Sequence, residues 1–121
     1  AHQNIPWGAS VCPMRDLREY AKNGVLRFVN GIYARGTDLG FMVGFVEHDS
    51  DIKSISTALS RMIQEPDMTS LLRMITNDHG NVITSPSRTF KACAFETYHA
   101  RDHAKDSPDM VLGHLILSHR P

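Results

Sequence analysis

The chain contains little cysteine. Cys12 and Cys93 are the two cysteines among 121 residues, too few for a disulfide framework or a four-thiolate zinc site. A disulfide between them would stabilise the fold by roughly 4–5 kcal/mol in the chain-entropy model, but we favour two reduced thiols in a cytoplasmic protein. The first residues lack a basic segment followed by an apolar core, the pattern of a signal peptide. A signal peptide removed before residue 1 would leave no trace.

Neither sign of charge is in excess. Lys and Arg total 13, Asp and Glu total 13, and no basic cluster stands out, so nucleic acid is not an expected partner. The longest apolar runs, "FMVGFV" and "MVLGHLIL", are far shorter than the ~20 residues that span a bilayer. The composition, 41% hydrophobic and 21% charged, is typical of a globular protein with a buried core. We therefore predict a single domain over residues 1–121.

Several catalytic and binding motifs are missing. The sequence contains no G-x-S-x-G, P-loop, G-x-G-x-x-G, H-E-x-x-H or C-x-x-C pattern. These patterns are typical of serine hydrolases, nucleotide-binding proteins, zinc proteases and thiol redox proteins. The sequence therefore gives no support to those classes.

The N-terminal residues lack a clear periodicity. Residues 1–12 predict an irregular arm. Pro13 suits the first position of a helix, where its missing N–H costs nothing. The helix over 13–23 should end at Asn23-Gly24, a typical helix stop.

Residues 25–35 fit two structures. Asn30-Gly31 between "VLRFV" and "IYARG" predicts a β-hairpin, because both central residues of its turn need positive φ. The alternative is one long helix that reaches Arg35 and contains Gly24 and Gly31, at ~1 kcal/mol each relative to Ala. We favour the hairpin.

The rest of the chain alternates between strand and helix patterns. Residues 40–47 predict a strand, and residues 51–64 predict an amphipathic helix that Pro66 ends. Residues 67–79 fit either strands around the turn "NDHG" or a helix. The runs "RTFKACAFETYHA" and "MVLGHLILSH" both predict strands.

These elements predict an α+β fold, in which a mainly antiparallel sheet carries two helices on one face. An all-α domain is the alternative, since Ser85-Pro86 and Ser107-Pro108 are also good helix starts. The predicted core comprises Leu17, Phe28, Phe41, Val43, Phe45, Ile55, Leu59, Met62, Leu72, Ile75, Phe95, Leu112 and Leu115.

The stretch "ETYHARDHAKD" holds the first candidate site. On a helix, Glu96, His99 and His103 share one face, and two imidazoles with a carboxylate suit zinc or non-haem iron. A divalent transition metal is then the predicted cofactor. On a strand, Glu96 and His99 face opposite ways and His103 falls in a loop, so the metal site depends on a helix.

The stretch "EHDSD" is the second candidate. His48 and Asp49 follow a strand and precede a helix, a place that often holds ligands, and a His beside an Asp can act as a general base. With His99, they are the candidate catalytic residues. The alternative is that these polar residues only cap the helix. If the last apolar run is a strand, His114 shares a face with Met110, Leu112 and Ile116, which predicts a hydrogen-bonded histidine in the core or at the edge of a pocket.

Two classes of function remain open. The first is a small ligand-binding or regulatory domain, which takes a small molecule between sheet and helices or pairs through an exposed strand with a protein partner or a second copy. The second is a small enzyme that uses histidines and carboxylates, with or without metal. The absence of a catalytic motif favours the first.

Overall fold

Six strands and four α-helices make up the part of the chain that the structure describes. The structure is a computed structural model and describes residues 3–5, 9–13, 17–30, 36–101 and 108–120. The strands are β1 (Gln3–Ile5), β2 (Ala9–Pro13), β3 (Leu39–His48), β4 (Ile83–Thr84), β5 (Phe95–His99) and β6 (Met110–Arg120). The α-helices are α1 (Leu17–Glu19), α2 (Leu26–Val29), α3 (Ile52–Ile63) and α4 (Pro66–Leu71). A π-helix (Tyr20–Val25) joins α1 to α2, and a 3-10 turn (Asp49–Asp51) precedes α3.

The described strands form one mixed sheet in the order β1-β2-β3-β6-β5-β4. β3 is parallel to β2 and β6, whereas the outer pairs are antiparallel. The α+β prediction is confirmed, with a sheet that is mixed rather than purely antiparallel. Parallel neighbours need a crossover connection, and residues 17–29 lie in the one between β2 and β3. The all-α alternative is wrong, because β5 and β6 occupy segments where it required helices.

The N-terminal residues belong to the sheet. Residues 3–5 pair with β2, and residues 9–13 pair in parallel with residues 41–45 of β3. The predicted irregular arm therefore contains two short strands. Pro13 ends β2 and does not begin a helix. The pairing depends on a partner strand distant in sequence, which a local pattern does not reveal.

Residues 17–29 form a continuous helical stretch, which we call the first helical segment. It includes residues 25–29, where a strand of the hairpin was predicted. The chain stays helical past Gly24, and the N–H of Asn30 bonds to the carbonyl of Leu26 at 2.8 Å. The hairpin prediction is wrong, and the helical alternative holds as far as Val29. Residues 31–35 lie outside the described residues.

Gly24 explains how this segment approaches the sheet. A Cβ atom at Gly24 would lie 2.1 Å from the terminal methyl of Met42 in β3. The end of the Met42 side chain therefore occupies the space that a Cβ at this position would need, and it would have to move to admit one. The propensity cost of a helical glycine, ~1 kcal/mol, is offset by this close packing.

The predicted helix over 51–64 is confirmed as α3. Its apolar stripe buries Leu59, Met62 and Ile63. Pro66 begins α4 at its first turn, where proline is tolerated. Neither prediction for residues 67–79 holds over the whole range, since α4 ends at Leu71 and Met74 makes an isolated bridge to His99. The strand predicted after the turn is present as β4, at residues 83–84. No helix in the described part of the chain is long and apolar enough to cross a membrane.

The core lies between the helices and one face of the sheet. Met42 and Val46 of β3 and Leu112 and Ile116 of β6 point to this face by strand alternation, and all four are buried in one apolar cluster. The helical elements complete the cluster with Tyr20, Ala21, Val25, Phe28, Val29, Leu59, Met62, Ile63 and Met68. The helices thus cover one face of the sheet, as predicted.

The opposite face is partly exposed. Phe41, Phe45 and Leu115 were predicted as core but are only half-buried there, while Val43 on the same face is buried. Leu117 is 39% exposed. Because both faces of these strands are apolar, the sequence pattern could not distinguish the face that the helices cover.

The contact between Gly24 and Met42 generates a testable expectation. The Gly24→Ala variant should lose about 1–2 kcal/mol of unfolding free energy, because overpacking a full core outweighs the gain in helix propensity. In a Met42→Val background, which shortens the opposing side chain, the same change should be neutral or stabilising. Urea denaturation of the four proteins measures this, and a Gly24→Ala protein as stable as the wild type would contradict it.

Candidate functional site

β5 carries Glu96 and His99, and its side chains alternate between the two faces of the sheet. Thr97 and His99 point with Phe95 into the helix-covered core. Glu96 and Tyr98 point to the opposite face. All five side chains are buried, and the polar ones form two separate hydrogen-bonded networks.

The first network is a line of buried hydrogen bonds, the histidine chain. Tyr20 Oη lies 2.8 Å from His114 Nδ1, and His114 Nε2 lies 2.8 Å from Thr97 Oγ1. Thr97 Oγ1 lies 2.7 Å from His99 Nε2, and His99 Nδ1 lies 2.8 Å from the carbonyl oxygen of Leu72. The chain therefore connects the first helical segment, β6, β5 and the end of α4.

The direction of every bond in the histidine chain follows from its last acceptor. The Leu72 carbonyl can only accept, so His99 carries its hydrogen on Nδ1 and accepts at Nε2. Thr97 must then donate to His99 and accept from His114 Nε2–H. His114 Nδ1 is left to accept from the Tyr20 hydroxyl. For two neutral imidazoles, the network thus assigns both hydrogens from hydrogen-bond geometry.

Burial keeps both imidazoles neutral. It lowers the pKa of His99 to about 4, an effect that the Leu72 carbonyl opposes and the Arg101 charge reinforces. It also lowers the pKa of His114 well below its ordinary value, and His99 adds to this. His114 also stacks on Phe95, with ring centroids 4.5 Å apart. Neither histidine has exposed surface, so neither can touch a substrate in this arrangement.

Arg101 is the charged residue beside His99 and has a structural role. Its guanidinium is buried and donates to the carbonyl of Pro108 at 2.7 Å and to that of Phe28 at 3.3 Å. It also donates to the carbonyl of Thr37. Arg101 therefore ties the end of the first helical segment to the residues that precede β3 and β6.

The second network surrounds the carboxylate of Glu96, which is 3% exposed. Oε1 accepts from the Ser87 hydroxyl at 2.7 Å, from the Arg88 N–H at 2.7 Å and from the Thr89 N–H at 2.8 Å. Oε2 accepts from the Tyr98 hydroxyl at 2.6 Å and from the Thr89 hydroxyl at 3.3 Å. One buried carboxylate thus holds the loop of residues 87–89 against β5.

These donors keep Glu96 ionised. Burial raises the pKa of its carboxyl group, but hydrogen bonds from Tyr98, Thr89, Ser87 and Arg88 outweigh burial, and the net pKa is lowered. Burial and the bond to Glu96 raise the pKa of Tyr98. The carboxylate therefore has a structural function, because its oxygens already accept five hydrogen bonds.

Two of the three predicted metal ligands, Glu96 and His99, do not converge. Residues 95–99 form a strand, so Glu96 and His99 lie on opposite faces, and each is occupied by its own network. His103 lies outside the described residues. Among the residues that are described, no group of three His, Cys, Asp or Glu side chains could hold a metal ion. The metal hypothesis required a helix over these residues, and residues 95–99 form a strand instead.

The predicted catalytic residues are also separated. His48 pairs in register with Arg120, whereas His99 pairs with Met110 at the other end of β6. At ~3.3 Å per residue, the two histidines are roughly 30 Å apart. Asp49 lies in the exposed turn before α3, where it accepts a hydrogen bond from Ser118. His48, Asp49 and His99 therefore do not form one site.

Cys93 is buried, and its thiol is held in the protonated form. It is a free, buried cysteine close to Gly113 on the face opposite the helices, where a Cβ on that glycine would lie 2.9 Å from its sulfur. Burial, with a smaller effect of Glu96, raises the pKa of its thiol to about 11. The thiolate is therefore scarce at neutral pH.

Tyr20 and Thr97 are the residues of the histidine chain that the sequence analysis missed. Tyr20 is 94 residues from its partner His114, and no local pattern connects them. The one usable signal was the alternation of a strand, which places Thr97 and His99 on the same side. The prediction of a hydrogen-bonded His114 in the core or at the edge of a pocket is confirmed, because its imidazole is buried and bonded.

A groove between α3 and the β4–β5 side is accessible to a ligand, and we call it the α3 groove. Its volume is about 570 Å³. Lys53 and Arg61, both exposed, are its charged residues, and no acidic residue in the described part of the chain lines it. The complete lining is Ile52, Lys53, Ser56, Thr57, Ser60, Arg61, Gln64, Ser85, Ala94 and Phe95.

The Glu96 network leads to a testable expectation. Glu96→Gln should reduce the unfolding free energy by about 2–4 kcal/mol at pH 7, because an amide nitrogen faces donors and the charge-assisted bonds are lost. The folded-state pKa of Glu96 lies below its ordinary 4.5, so its contribution is present above that pH and is lost as pH falls through the lower value. The difference between the two proteins should therefore narrow in acid.

Urea denaturation at pH 7 and pH 3 measures both effects. The exposed Glu19→Gln change is the matched control and should alter stability by less than ~0.5 kcal/mol. Equal losses in the two variants would contradict the structural role of Glu96.

No family model, curated protein or solved structure matches this chain. Function is therefore inferred below from the chemistry of the described residues.

Proposed function

We propose that the protein is a small ligand-binding domain and that its ligand is a small organic anion held in the α3 groove. The observation that carries the proposal is the composition of the groove: two cations and several hydroxyl groups, with no carboxylate among its described lining residues. The chain as a whole has balanced charge, so this local positive surface differs from the average surface.

The size of the groove suits such a ligand. Its volume of about 570 Å³ lies within the ~300–1,000 Å³ of typical ligand pockets. Ile52 and Ala94, both half-buried, supply apolar surface for the carbon part of a ligand. Polar groups on α3 lie around this apolar surface, which is the arrangement that orients a small molecule.

The spacing of the two cations allows both to contact one anionic group, or each to contact a separate anionic group of the ligand. Lys53, Thr57 and Arg61 follow one another at four-residue intervals on α3, so the cations lie ~12 Å apart along the helix axis with a hydroxyl between them. Arginine can donate two parallel hydrogen bonds to a carboxylate or phosphate, and lysine adds a mobile charge. Both are exposed, so binding should weaken as salt rises.

Binding is favoured over catalysis by the state of the histidines. A general base must reach the proton that it removes, and His99 and His114 have no exposed surface. His48 and Asp49 lie at the far end of β6 from His99. A small histidine and carboxylate enzyme was the alternative, and no described arrangement favours it.

Calorimetric titration with inorganic phosphate, pyrophosphate and a sugar phosphate, at constant ionic strength, tests this proposal. At least one probe should bind saturably, and Lys53→Gln/Arg61→Gln should weaken its binding roughly tenfold or more, since charge-assisted hydrogen bonds are lost. The exposed pair Lys22→Gln/Lys91→Gln removes the same charge elsewhere and should leave affinity unchanged. This control also separates specific binding from general stabilisation by phosphate salts.

Nitrogen–proton NMR spectra locate the bound probe. A hollow on the other flank of α3 shares Lys53, Thr57 and Arg61 with the groove, so the variants alone do not distinguish the two. Binding in the groove should shift the amide signals of Ser85 and Ala94. No saturable binding by any probe, equal affinity in the double variant, or shifts confined to Ser50 and Ala58 would each overturn the proposal.

A further inference from the structure

Another cavity adjoins the α3 groove and shares Ser85 with it. We call it the β4 cavity, because it lies beside β4 between the turn of residues 77–81 and the loop of residues 85–88. Its volume of about 410 Å³ lies within the ~300–1,000 Å³ of typical ligand pockets. A ligand bound in the α3 groove can therefore extend past Ser85 into a second site of suitable size.

The lining of the β4 cavity differs in chemistry from that of the α3 groove. Two carboxamides, three hydroxyl groups, one imidazole and one guanidinium line it, and no carboxylate is among its described lining residues. Carboxamides and hydroxyl groups both donate and accept hydrogen bonds, as the hydroxyl groups of a sugar do. Apart from the ring of Pro86, the described lining offers no apolar side chain. The cavity is therefore matched to a hydroxyl-rich group rather than to an apolar one.

The Asn77 carboxamide holds the first wall of the β4 cavity in place. Its Oδ1 accepts from the main-chain N–H of His79 at 2.9 Å and from that of Asn81 at 3.0 Å. Its Nδ2 donates to the Thr84 hydroxyl at 3.1 Å and to the Tyr98 hydroxyl at 3.3 Å. The turn of residues 77–81 is therefore closed on itself and tied to both β4 and β5.

The Glu96 network holds the opposite wall in place. The Glu96 carboxylate accepts from the Ser87 hydroxyl and from the main-chain N–H of Arg88. The Tyr98 hydroxyl donates to the same carboxylate and lies 2.7 Å from the Thr84 hydroxyl. One connected set of hydrogen bonds therefore fixes both walls. A ligand in this cavity would not have to order the main chain around it, which favours affinity.

Asn81 and Arg88 present their side chains on these two walls. Both residues are exposed, and their main-chain N–H groups are bonded to Asn77 and Glu96. Within the described part of the chain, neither side chain has a hydrogen-bond or ion-pair partner. Each of the two is therefore held at its main chain and available at its polar end for a ligand.

We propose that the ligand of the α3 groove is a sugar phosphate and that its sugar extends past Ser85 into the β4 cavity. The cations of the α3 groove hold the phosphate. In the β4 cavity, the Arg88 guanidinium and the Asn81 carboxamide donate to sugar hydroxyl groups, and the carboxamide oxygen accepts from one. This assignment rests on the proposed function, since it takes the α3 groove as the site of the anionic group.

Calorimetric titration at constant ionic strength tests the assignment with four probes: propyl phosphate, glucose 6-phosphate, ribose 5-phosphate and trehalose 6-phosphate. Propyl phosphate carries the same phosphate ester without a hydroxyl group, so its affinity reports the α3 groove alone. At least one sugar phosphate should bind roughly tenfold or more tightly than propyl phosphate, because its hydroxyl groups gain several hydrogen bonds, one of them to a charged donor.

The Asn81→Ala/Arg88→Gln variant should remove the advantage of the sugar phosphate. Its affinity for propyl phosphate should stay within about twofold of the wild type, because an exposed charge outside the α3 groove is screened by salt. The matched control is Asn23→Ala/Arg27→Gln, which removes the same two groups from exposed positions on the first helical segment. This control should bind every probe as the wild type does.

Nitrogen–proton NMR spectra show where the sugar lies. The tighter sugar phosphate should shift the amide signals of Asn81 and Arg88 in addition to those of Ser85 and Ala94. Propyl phosphate should leave the signals of Asn81 and Arg88 unchanged.

The outcomes separate this assignment from the proposed function. No saturable binding by any of the four probes would overturn both. Three other results would overturn the sugar site alone and leave the anion site in place. Propyl phosphate could bind as tightly as every sugar phosphate. The Asn81→Ala/Arg88→Gln variant could keep the full advantage of the sugar phosphate. The amide shifts caused by the sugar phosphate could be confined to the residues of the α3 groove.

Discussion

One hydroxyl group between two buried imidazoles joins the polar side chains of the core into a single hydrogen-bonded chain. Because Thr97 accepts from His114 and donates to His99, both rings take a defined tautomer, and the chain runs in one direction from Tyr20 to the Leu72 carbonyl. Apolar packing tolerates many arrangements of similar volume, whereas a fully satisfied polar chain in a low dielectric is intolerant of displacement. The Thr97 hydroxyl therefore adds contacts that depend on direction as well as volume, and it reaches the first helical segment through His114 and Tyr20.

The fold was predictable where a single hydrophobic pattern extends over a whole helix or strand. The helical stripe of α3 and the long apolar run of β6 each identify their structure without help from the rest of the chain. The first helical segment was not predictable, because Asn30-Gly31 is a strong local turn signal and the forces against it are distant in sequence. Local rules predict that a helix ends at Gly24. In the structure, the missing side chain of Gly24 leaves the space that the end of the Met42 side chain occupies. The direction of a strand in the sheet is defined relative to its partner strand, so a local sequence pattern could not predict it either.

The candidate site was predictable only in its parts. On a helix, the spacing of Glu96 and His99 predicts that both bind one metal ion. On a strand, the same spacing places them on opposite faces. In the strand, each side chain has hydrogen-bond partners that the sequence could not indicate. Glu96 accepts from loop N–H groups, and His99 bonds to Thr97 and to a backbone carbonyl. His99, a candidate catalytic residue, is fully buried, as is His114. The α3 groove, where we propose that a ligand binds, is lined by the ordinary polar face of a helix and carries no motif.

The tautomers of the two buried histidines are the most direct evidence on this arrangement. Long-range nitrogen–proton NMR correlation at pH 7 distinguishes protonation at Nδ1 from protonation at Nε2 for each imidazole ring. The histidine chain predicts that His99 is neutral with its hydrogen on Nδ1 and that His114 is neutral with its hydrogen on Nε2. The opposite tautomer at either ring, a charged ring, or rapid averaging between tautomers as in an exposed histidine would contradict it.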